Sequence, residues 1–384
     1  MDKKRYTILI IVLLATFEVS ASWVQRADFG SHGRHRGSSF SIGNRGYMGL
    51  GHYNGAGPNI VLKDWWEYDP GTNSWTQKAD YIGNNNNGNY GVLSFSTPNY
   101  GYIGGGQQGG DNRLYRYDPT SNSWTAMSNT PTTPKNTEGF VIDGKGYYLS
   151  GSSLYEYDFA SDTWTTKNSA PFSVGIWNSA FSINEKGYVK TGYSLWEYKP
   201  LLDDWILRTN FPGIATSASV ALVSNNKVYL VSGYGNSLSN VTKQVWEYDP
   251  YTNVWSQMGD FPGSSRRFGS GFVISDRAFI GIGTNGTNFN DFYELDPWAD
   301  VNELFDQNNL KVYPNPSTDY IIFNLDKTMD FDIEIKDLLG KKIFSETTTN
   351  GLIQFFKGNN PSGIYLYHLK MNGAIVNTGK IILK

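Results

Sequence analysis

Cysteine is absent from the 384 residues of this chain. Its absence excludes disulfide bonds, thiolate metal sites, cysteine nucleophiles and a lipid-bearing cysteine behind an export signal. Stability must therefore come from the burial of apolar surface, which a chain of this length can supply.

Charge and proline are also scarce. Charged residues make up 17% of the sequence, the formal net charge is −3, and no basic cluster lies beyond the first five residues. This gives no electrostatic reason to expect nucleic acid as a partner. The 15 prolines are outnumbered by 42 glycines, and aromatic residues reach 15%. Such a composition favours many short strands joined by tight turns over helices or disorder.

Residues 1–21 have the features of an export signal. Three basic residues at positions 3–5 precede an apolar run over 6–17, and the small residues of 19–21 resemble a cleavage site. The apolar run is too short to span a bilayer comfortably. We therefore expect export from the cytoplasm and no transmembrane segment in the mature chain.

A phrase of aromatic, Glu or Arg, Tyr, Asp and Pro recurs along the chain, in most copies followed by a Trp. The six copies, some of them degenerate, begin at Trp66, Tyr115, Tyr155, Trp196, Trp246 and Tyr293, and the first five precede Trp75, Trp124, Trp164, Trp205 and Trp255. Successive tryptophans are separated by 40 to 50 residues. This period indicates one small sheet per repeat, stacked beside its neighbours.

A second pattern precedes each phrase: an aromatic residue followed by small residues that end in Gly. Its aromatic residues are Tyr47, Tyr102, Tyr147, Tyr188, Tyr229 and Phe279, and seven residues before them stand Phe40, Phe95, Phe140, Phe181, Leu222 and Phe272. Each repeat therefore predicts four antiparallel strands, with glycines that allow neighbouring sheets to approach.

The sixth repeat lacks its downstream Trp, and the missing segment occurs at the start of the mature chain. The segment from Trp23 to Phe29 matches the segment that begins at Trp75. We predict that the strand beginning at Trp23 completes the last sheet, so that six blades form a closed ring without a broken seam.

The two-part repeat resembles the kelch motif, which implies a β-propeller. The predicted fold class is all-β: a six-bladed kelch-type β-propeller over 22–300, a linker over 301–310 and a small β-sandwich over 311–384.

The last segment resembles the type A sorting domain of the Bacteroidota type IX secretion system. The motifs that carry the resemblance are Tyr313-Pro314-Asn315-Pro316, Asp337-Leu338-Leu339-Gly340-Lys341, Pro361-Ser362-Gly363-Ile364-Tyr365 and the terminal Lys380-Ile381-Ile382-Leu383-Lys384. The resemblance implies that the type IX machinery recognises residues 311–384 and delivers the protein to the cell surface or the medium.

Ligands of propellers bind where the loops of one face meet the central channel. The candidate binding residues in these loops are Arg34, Arg36, Tyr90, Lys135, Trp177, Arg266 and Arg267. In peptide-binding kelch propellers, arginines at the start of the inner strand contact the partner, and the resemblance implies this role for Arg266 and Arg267 first. Trp177 is predicted either to lie in a notch over blades three and four, where an indole stacks on a sugar or grips a peptide, or to pack between blades.

Glu138 is the acidic residue that falls within a predicted inner strand, and it is a weak catalytic candidate. Bacterial sialic-acid mutarotases are six-bladed kelch propellers, and the resemblance implies a role for Glu138 in general acid–base catalysis. The alternative is that Glu138 forms a structural ion pair or hydrogen bond. Galactose-oxidase-like chemistry is excluded because it needs a cysteine. His32, His35 and His52 lack the spacing of a zinc motif, so no metal or cofactor is expected.

The sequence thus favours a protein- or glycan-binding module over an enzyme. A sugar mutarotase or lyase and a surface scaffold without a small-molecule site remain alternatives. Catalysis at Glu138 requires a polar pocket with Arg or Lys within hydrogen-bond reach.

Overall fold

The computed structural model of the protein describes residues 22–54, 59–109, 112–296, 310–325, 331–338, 340–348, 351–371 and 374–384. The predicted export signal, and the predicted linker except for its last residue, lie outside these ranges. The described residues are almost entirely strands and turns, which confirms the all-β fold class. Their one helical element, α1 over Gly83–Asn86, is a short turn in which Asn84 and Asn85 have left-handed backbone. No helix in the described ranges is long and apolar enough to cross a bilayer.

Six four-stranded antiparallel sheets occupy the region from residue 22 to residue 296. The first strand of the described residues is β1, Ser22–Gln25. Sheet 1 contains β2 (Ser38–Ile42), β3 (Arg45–Gly49), β6 (Trp65–Asp69) and β7 (Ser74–Lys78), and a hairpin of β4 (His52–Tyr53) and β5 (Ile60–Val61) lies in its long loop. Sheet 2 contains β8 (Leu93–Ser96), β9 (Gly101–Gly104), β10 (Arg113–Asp118) and β11 (Ser123–Asn129). Sheet 3 contains β12 (Gly139–Ile142), β13 (Lys145–Ser150), β14 (Ser153–Asp158) and β15 (Thr163–Thr166).

The second half of the ring repeats this arrangement. Sheet 4 contains β16 (Ser179–Ile183), β17 (Lys186–Thr191), β18 (Ser194–Lys199) and β19 (Asp204–Leu207). Sheet 5 contains β20 (Val220–Ser224), β21 (Lys227–Tyr234), β22 (Val241–Asp249) and β23 (Val254–Asp260). Sheet 6 contains β24 (Ser270–Ile274), β25 (Arg277–Gly281) and β26 (Phe292–Asp296), and β1 is its fourth strand.

The first and last strands of this region pair with each other. Strand β1 runs antiparallel to β26, with Trp23 opposite Leu295, and the Trp23 ring packs edge-on against Phe261 at 5.1 Å. The inner strands follow one another in a ring, because β2 contacts both β8 and β24. Neither side of sheet 6 is therefore left as an unpaired seam.

Close packing between the first four sheets and their neighbours depends on a glycine that precedes the aromatic residue of the second strand; Val228 and Ala278 take this position in sheets 5 and 6. A Cβ atom on Gly101 would lie 2.0 Å from the ring of Phe40, and one on Gly46 would lie 2.0 Å from the ring of Phe272. The first pair joins sheet 2 to sheet 1, and the second joins sheet 1 to sheet 6. Any side chain at these positions would push the sheets apart.

The recurring Tyr-Asp phrase joins each sheet to its neighbour by hydrogen bonds. The hydroxyl of Tyr68 donates to Oδ1 of Asn73 at 2.8 Å, and the same oxygen accepts the backbone N–H of Ala27 at 2.9 Å. The equivalent Tyr pairs in the next four sheets are Tyr117–Asn122, Tyr157–Asp162, Tyr198–Asp203 and Tyr248–Asn253. Asn73 has a φ of +51°, a conformation that Asn and Asp tolerate better than most residues. The motif is thus structural.

The C-terminal region contains two sheets around a separate core. One sheet consists of β27 (Leu310–Tyr313), β28 (Tyr320–Leu325) and β31 (Leu352–Phe356), and the other of β29 (Phe331–Lys336), β30 (Lys342–Thr348), β32 (Gly363–Met371) and β33 (Ala374–Leu383). Alternate residues of β28 and β29, such as Phe323 and Ile333, are buried in this core. This alternation is typical of a small β-sandwich.

Candidate ligand-binding site at the channel mouth

One residue from each repeat lies at the mouth of the central channel with left-handed backbone. These residues are Arg36, Gly91, Asn136, Trp177, Ala218 and Phe268. Their φ angles lie between +53° and +64°, and each precedes its inner strand by two or three residues. A positive φ is uncommon for Arg, Trp and Phe, so the fold imposes this conformation at the same point of every repeat.

Backbone hydrogen bonds join these residues to one another. The N–H of Arg36 donates to the carbonyl of Phe268 at 3.0 Å, across the junction between the first and last sheets. Four further junctions have the same bond, at 2.7 to 3.1 Å, from one ring residue to the carbonyl of the ring residue before it. We call the six residues the mouth ring. Its side chains come from distant parts of the sequence and meet at one place.

Three large side chains of the mouth ring pack together. The Trp177 and Phe268 rings have their centroids 4.6 Å apart, and the Arg36 guanidinium lies 5.1 Å from the Trp177 ring and 4.5 Å from the Phe268 ring. A Cβ atom on Gly91 would lie 3.1 Å from the Trp177 indole. Trp177 is thus partly exposed at the mouth and packs on Phe268 and Arg36, so it is not buried between blades.

Arg34 joins two loops of sheet 1, and Arg266 joins two loops of sheet 6. Both side chains are fully buried. Arg34 donates two hydrogen bonds to Asp64, at 2.5 and 2.8 Å, and Arg266 donates two to Asp291, at 2.5 and 2.7 Å. Although burial acts to raise it, the pKa of the Asp64 carboxyl lies below its usual value because of the hydrogen bonds from Arg34.

Further donors of these two arginines bond to backbone carbonyls. Each Nε donates to the carbonyl two residues earlier at 3.1 Å, and each Nη1 donates to a carbonyl of the following strand or loop, that of Leu50 or Ile282. A ligand could reach neither guanidinium without breaking these bonds. The prediction that Arg34 and Arg266 bind a ligand is therefore corrected: they are structural clamps.

Arg36 and Arg267 lie in the same loops and have no carboxylate partner among the described residues. Arg36 Nη1 lies 3.3 Å from Nε2 of His52, and Arg267 Nη1 donates to the carbonyl of Leu238. The Nε atoms of both arginines are buried without a hydrogen-bond partner in the described part of the chain. Burial lowers the pKa of both guanidinium groups, and the positive charge of Arg267 lowers that of Arg36 further.

Tyr90 joins this group through two histidines. The His52 ring stacks on Tyr90 at 4.4 Å and contacts His35 at 4.0 Å, and His35 stacks on Phe268 at 5.9 Å. Burial, followed by the charge of neighbouring basic groups, lowers the pKa of His35 to about 3 and that of His52 to about 4. Both rings are therefore neutral near pH 7. Sequence reasoning considered them for metal binding and missed this packing role.

We call Arg36, Tyr90, Trp177, Arg267 and Phe268 the mouth cluster. All but Phe268 are partly exposed. Lys135 is exposed and directly precedes the mouth-ring residue Asn136. In the described residues, no contact within the mouth cluster involves the Lys135 side chain. The same residues include no group of three His, Asp or Glu side chains placed to hold a metal ion.

Below the mouth ring, the inner strands line a cavity of about 470 Å³ that contains Glu138. The Glu138 side chain is exposed to the cavity, but the cavity is itself enclosed by protein. The resulting burial raises the pKa of the Glu138 carboxyl to about 7. Oε2 of Glu138 accepts the N–H of Ala180 at 3.1 Å. No Arg or Lys lies within ion-pair distance of Glu138 in the described ranges.

Lys190 is the basic residue whose charge acts on Glu138, and it is buried between sheets. Its Nζ donates to the carbonyl of Ala215 at 2.7 Å and lies 4.7 Å from the Phe211 ring. Burial lowers its pKa to about 7. Lys190 therefore has a structural hydrogen bond and forms no ion pair with Glu138.

Comparisons with known proteins agree with the two regions. Residues 215–262 match the kelch motif, and residues 311–384 match the secretion system C-terminal sorting domain. The solved structure of YjhT is similar, with a TM-score of 0.58 and 15% sequence identity over 71% of this chain and 95% of that chain. No curated protein matches the chain.

These findings confirm a kelch-type propeller with a type IX sorting domain. The sorting domain marks the chain for export to the cell surface or the medium. At this low identity, the similarity to YjhT concerns the fold alone.

Proposed function

We propose that the exported propeller is a binding module that captures a protein or glycan ligand at the mouth cluster. The observation that supports this most is the position of Arg36. Its guanidinium has no carboxylate partner in the described residues and lies against the partly exposed Trp177 ring. A cation and an aromatic face beside each other provide polar and apolar contacts for one ligand.

The loops around the mouth support a recessed site. The loops between the second and third strands run over residues 50–64 in sheet 1 and 282–291 in sheet 6, but only over residues 151–152 and 192–193 in sheets 3 and 4. Access to the mouth cluster is thus more open over sheets 3 and 4. Trp177 lies in the segment that connects these two sheets. A ligand entering there meets Trp177 and then Arg36.

A sugar-modifying enzyme that uses Glu138 is the second candidate function. It is favoured by the pKa of about 7, which suits a group that both gives and takes a proton near neutral pH. It is opposed by the lack of a basic side chain within reach of Glu138 in the described residues. It is also opposed by the packed Trp177, Phe268 and Arg36 side chains at the mouth above the cavity. Binding is therefore the better supported function.

The test is a screen of the full chain on a glycan array and against extracted cell-surface proteins. Trp177→Ala should weaken the binding of any ligand found by about 10-fold or more, because an aromatic contact contributes on the order of 1 kcal/mol beyond its buried area. Tyr251→Ala is the matched control, since Tyr251 is 96% exposed in a turn outside the mouth cluster. Unchanged binding by Trp177→Ala would refute the mouth cluster as the site.

A further inference from the structure

We infer that the ligand of the mouth cluster is an acidic glycan, whose carboxylate or sulfate group binds between Arg36 and Arg267. This inference rests on the proposed function and specifies its ligand class. It depends on the charge balance of the mouth, the unused donors of the two arginines and the aromatic walls around them.

The charge balance of the mouth is positive. The groups that act electrostatically on Arg36 are Arg267, Tyr90 and Tyr234, and none of them is a carboxylate. Asp64 and Asp291 in the neighbouring loops are held by the structural arginines, and Glu138, in the cavity below the mouth ring, is not among the groups that act on Arg36. His35 and His52 are neutral near pH 7. Two partly buried positive charges without a counter-ion destabilise the free protein, and a bound anion would remove that cost.

The hydrogen-bonding capacity of the two guanidinium groups is underused. A guanidinium has five N–H donors, and the partners found for Arg36 and Arg267 are one histidine nitrogen and one backbone carbonyl. Aromatic rings hold both groups in place: Phe268 lies 4.5 Å from Arg36 and 5.5 Å from Arg267. Carboxylate and sulfate oxygens are the acceptors that fit such paired donors.

The walls of the mouth favour a sugar over a peptide. Trp177 and Tyr90, both partly exposed, lie with their rings beside Arg36. A pyranose ring has an apolar face that packs on such rings, while its acidic substituent can reach the guanidinium. Peptides bind most often along an exposed strand edge or a groove. At the mouth, backbone hydrogen bonds join the mouth-ring residues to one another at five junctions. No free strand edge is therefore available to a peptide at these junctions.

The experiment uses the full chain and four probes in titration calorimetry at two salt concentrations. The probes are polygalacturonate with carboxylates, dextran sulfate with sulfate esters, neutral dextran and poly-glutamate. We expect one or both acidic glycans to bind, with dextran and poly-glutamate at least 10-fold weaker, and higher salt to weaken binding. The two acidic arms show which group the site takes.

Arg36→Gln and Arg267→Gln should each weaken acidic-glycan binding by about 10-fold or more, because each removes a charge-assisted hydrogen bond. Lys243→Gln is the matched control: it removes an exposed positive charge that is paired with Asp260 outside the mouth cluster. Thermal unfolding of each variant verifies that it is folded.

Three results with the wild-type chain would overturn the inference. They are failure of both acidic glycans to bind, equal binding of dextran, and stronger binding of poly-glutamate. An equal loss in Lys243→Gln would do the same, since it would indicate unspecific attraction. The proposed function fails separately, when Trp177→Ala leaves the ligands of the wider screen bound as tightly as before.

Discussion

Arg34 and Arg36 stand two residues apart in one loop, and Arg266 and Arg267 are adjacent in another, yet the members of each pair have different roles. Arg34 and Arg266 are fully buried and bind Asp64 and Asp291 through two hydrogen bonds each. Arg36 and Arg267 have no carboxylate partner in the described chain and lie partly exposed at the channel mouth. The presence of a carboxylate in the facing loop separates structural arginines from those available to a ligand.

The comparison teaches that position relative to the inner strand decides the role. Arg34 and Arg266 both stand three residues before a glycine, Gly37 or Gly269, and both place Nε on the carbonyl two residues earlier. Arg36 instead takes the mouth-ring position, which Phe268 takes in sheet 6. Residue type alone does not distinguish these sites.

The largest expected effect comes from breaking a clamp. Arg266→Met should lower the free energy of unfolding by about 3 kcal/mol, because it leaves the Asp291 carboxylate without its partner and removes the packing on Phe261 and Phe289. Urea unfolding of the full chain measures it. Adding Asp291→Leu should restore part of the loss. A decrease below about 1 kcal/mol would contradict the structural role.

The second effect concerns pH and the neutral histidines beside the cluster arginine. The pKa of His35 is about 3 and that of His52 about 4 in the folded protein, below the ordinary 6.5. At a pH between the folded pKa and 6.5, the unfolded chain binds more protons than the folded protein does. The stabilisation is therefore complete above pH 6.5 and is lost as the pH falls. The slope is at most about 1.4 kcal/mol per pH unit for each histidine.

Unfolding curves between pH 7 and pH 4 measure this slope. His52→Gln should reduce it by up to the contribution of one proton. Equal slopes in the wild type and His52→Gln would show that His52 is not held neutral beside Arg36.

The smallest effect is expected at the cluster arginine itself. Arg36→Gln should change the free energy of unfolding by less than about 1 kcal/mol, since it breaks no ion pair with a carboxylate and relieves repulsion from Arg267. The urea assay used for Arg266→Met measures it. A loss as large as that of Arg266→Met would erase the distinction between the two kinds of arginine.

The sheets were predictable because their signals are local and repeated. Phe40 and Gly101 recur at fixed spacing, and in the structure that phenylalanine packs where a Cβ of the glycine would lie. Trp23 could be matched to Trp75 because both begin the same segment, and the structure pairs its strand with β26. A period of 40 to 50 residues contains enough copies for degenerate ones to be recognised.

The candidate site was predicted less well. Arg36, Tyr90, Trp177 and Arg267 do lie at the mouth, but Arg34 and Arg266 do not. A signal for the clamps existed: in sheets 1 and 6, Asp64 and Asp291 stand two residues before an aromatic residue of the third strand. Reading Arg with Asp as a pair would have assigned both arginines to the fold.

Sequence by itself determined the number of repeats, the strand order within each repeat and the sorting segment, because each depends on contacts between residues near in the chain or on a repeated spacing. Tertiary structure alone decided which arginine is neutralised, where the Trp177 ring lies and how strongly Glu138 holds its proton. These depend on which loops from different sheets meet at the axis of the propeller and on how far they exclude water there. The sequence of a single repeat specifies neither.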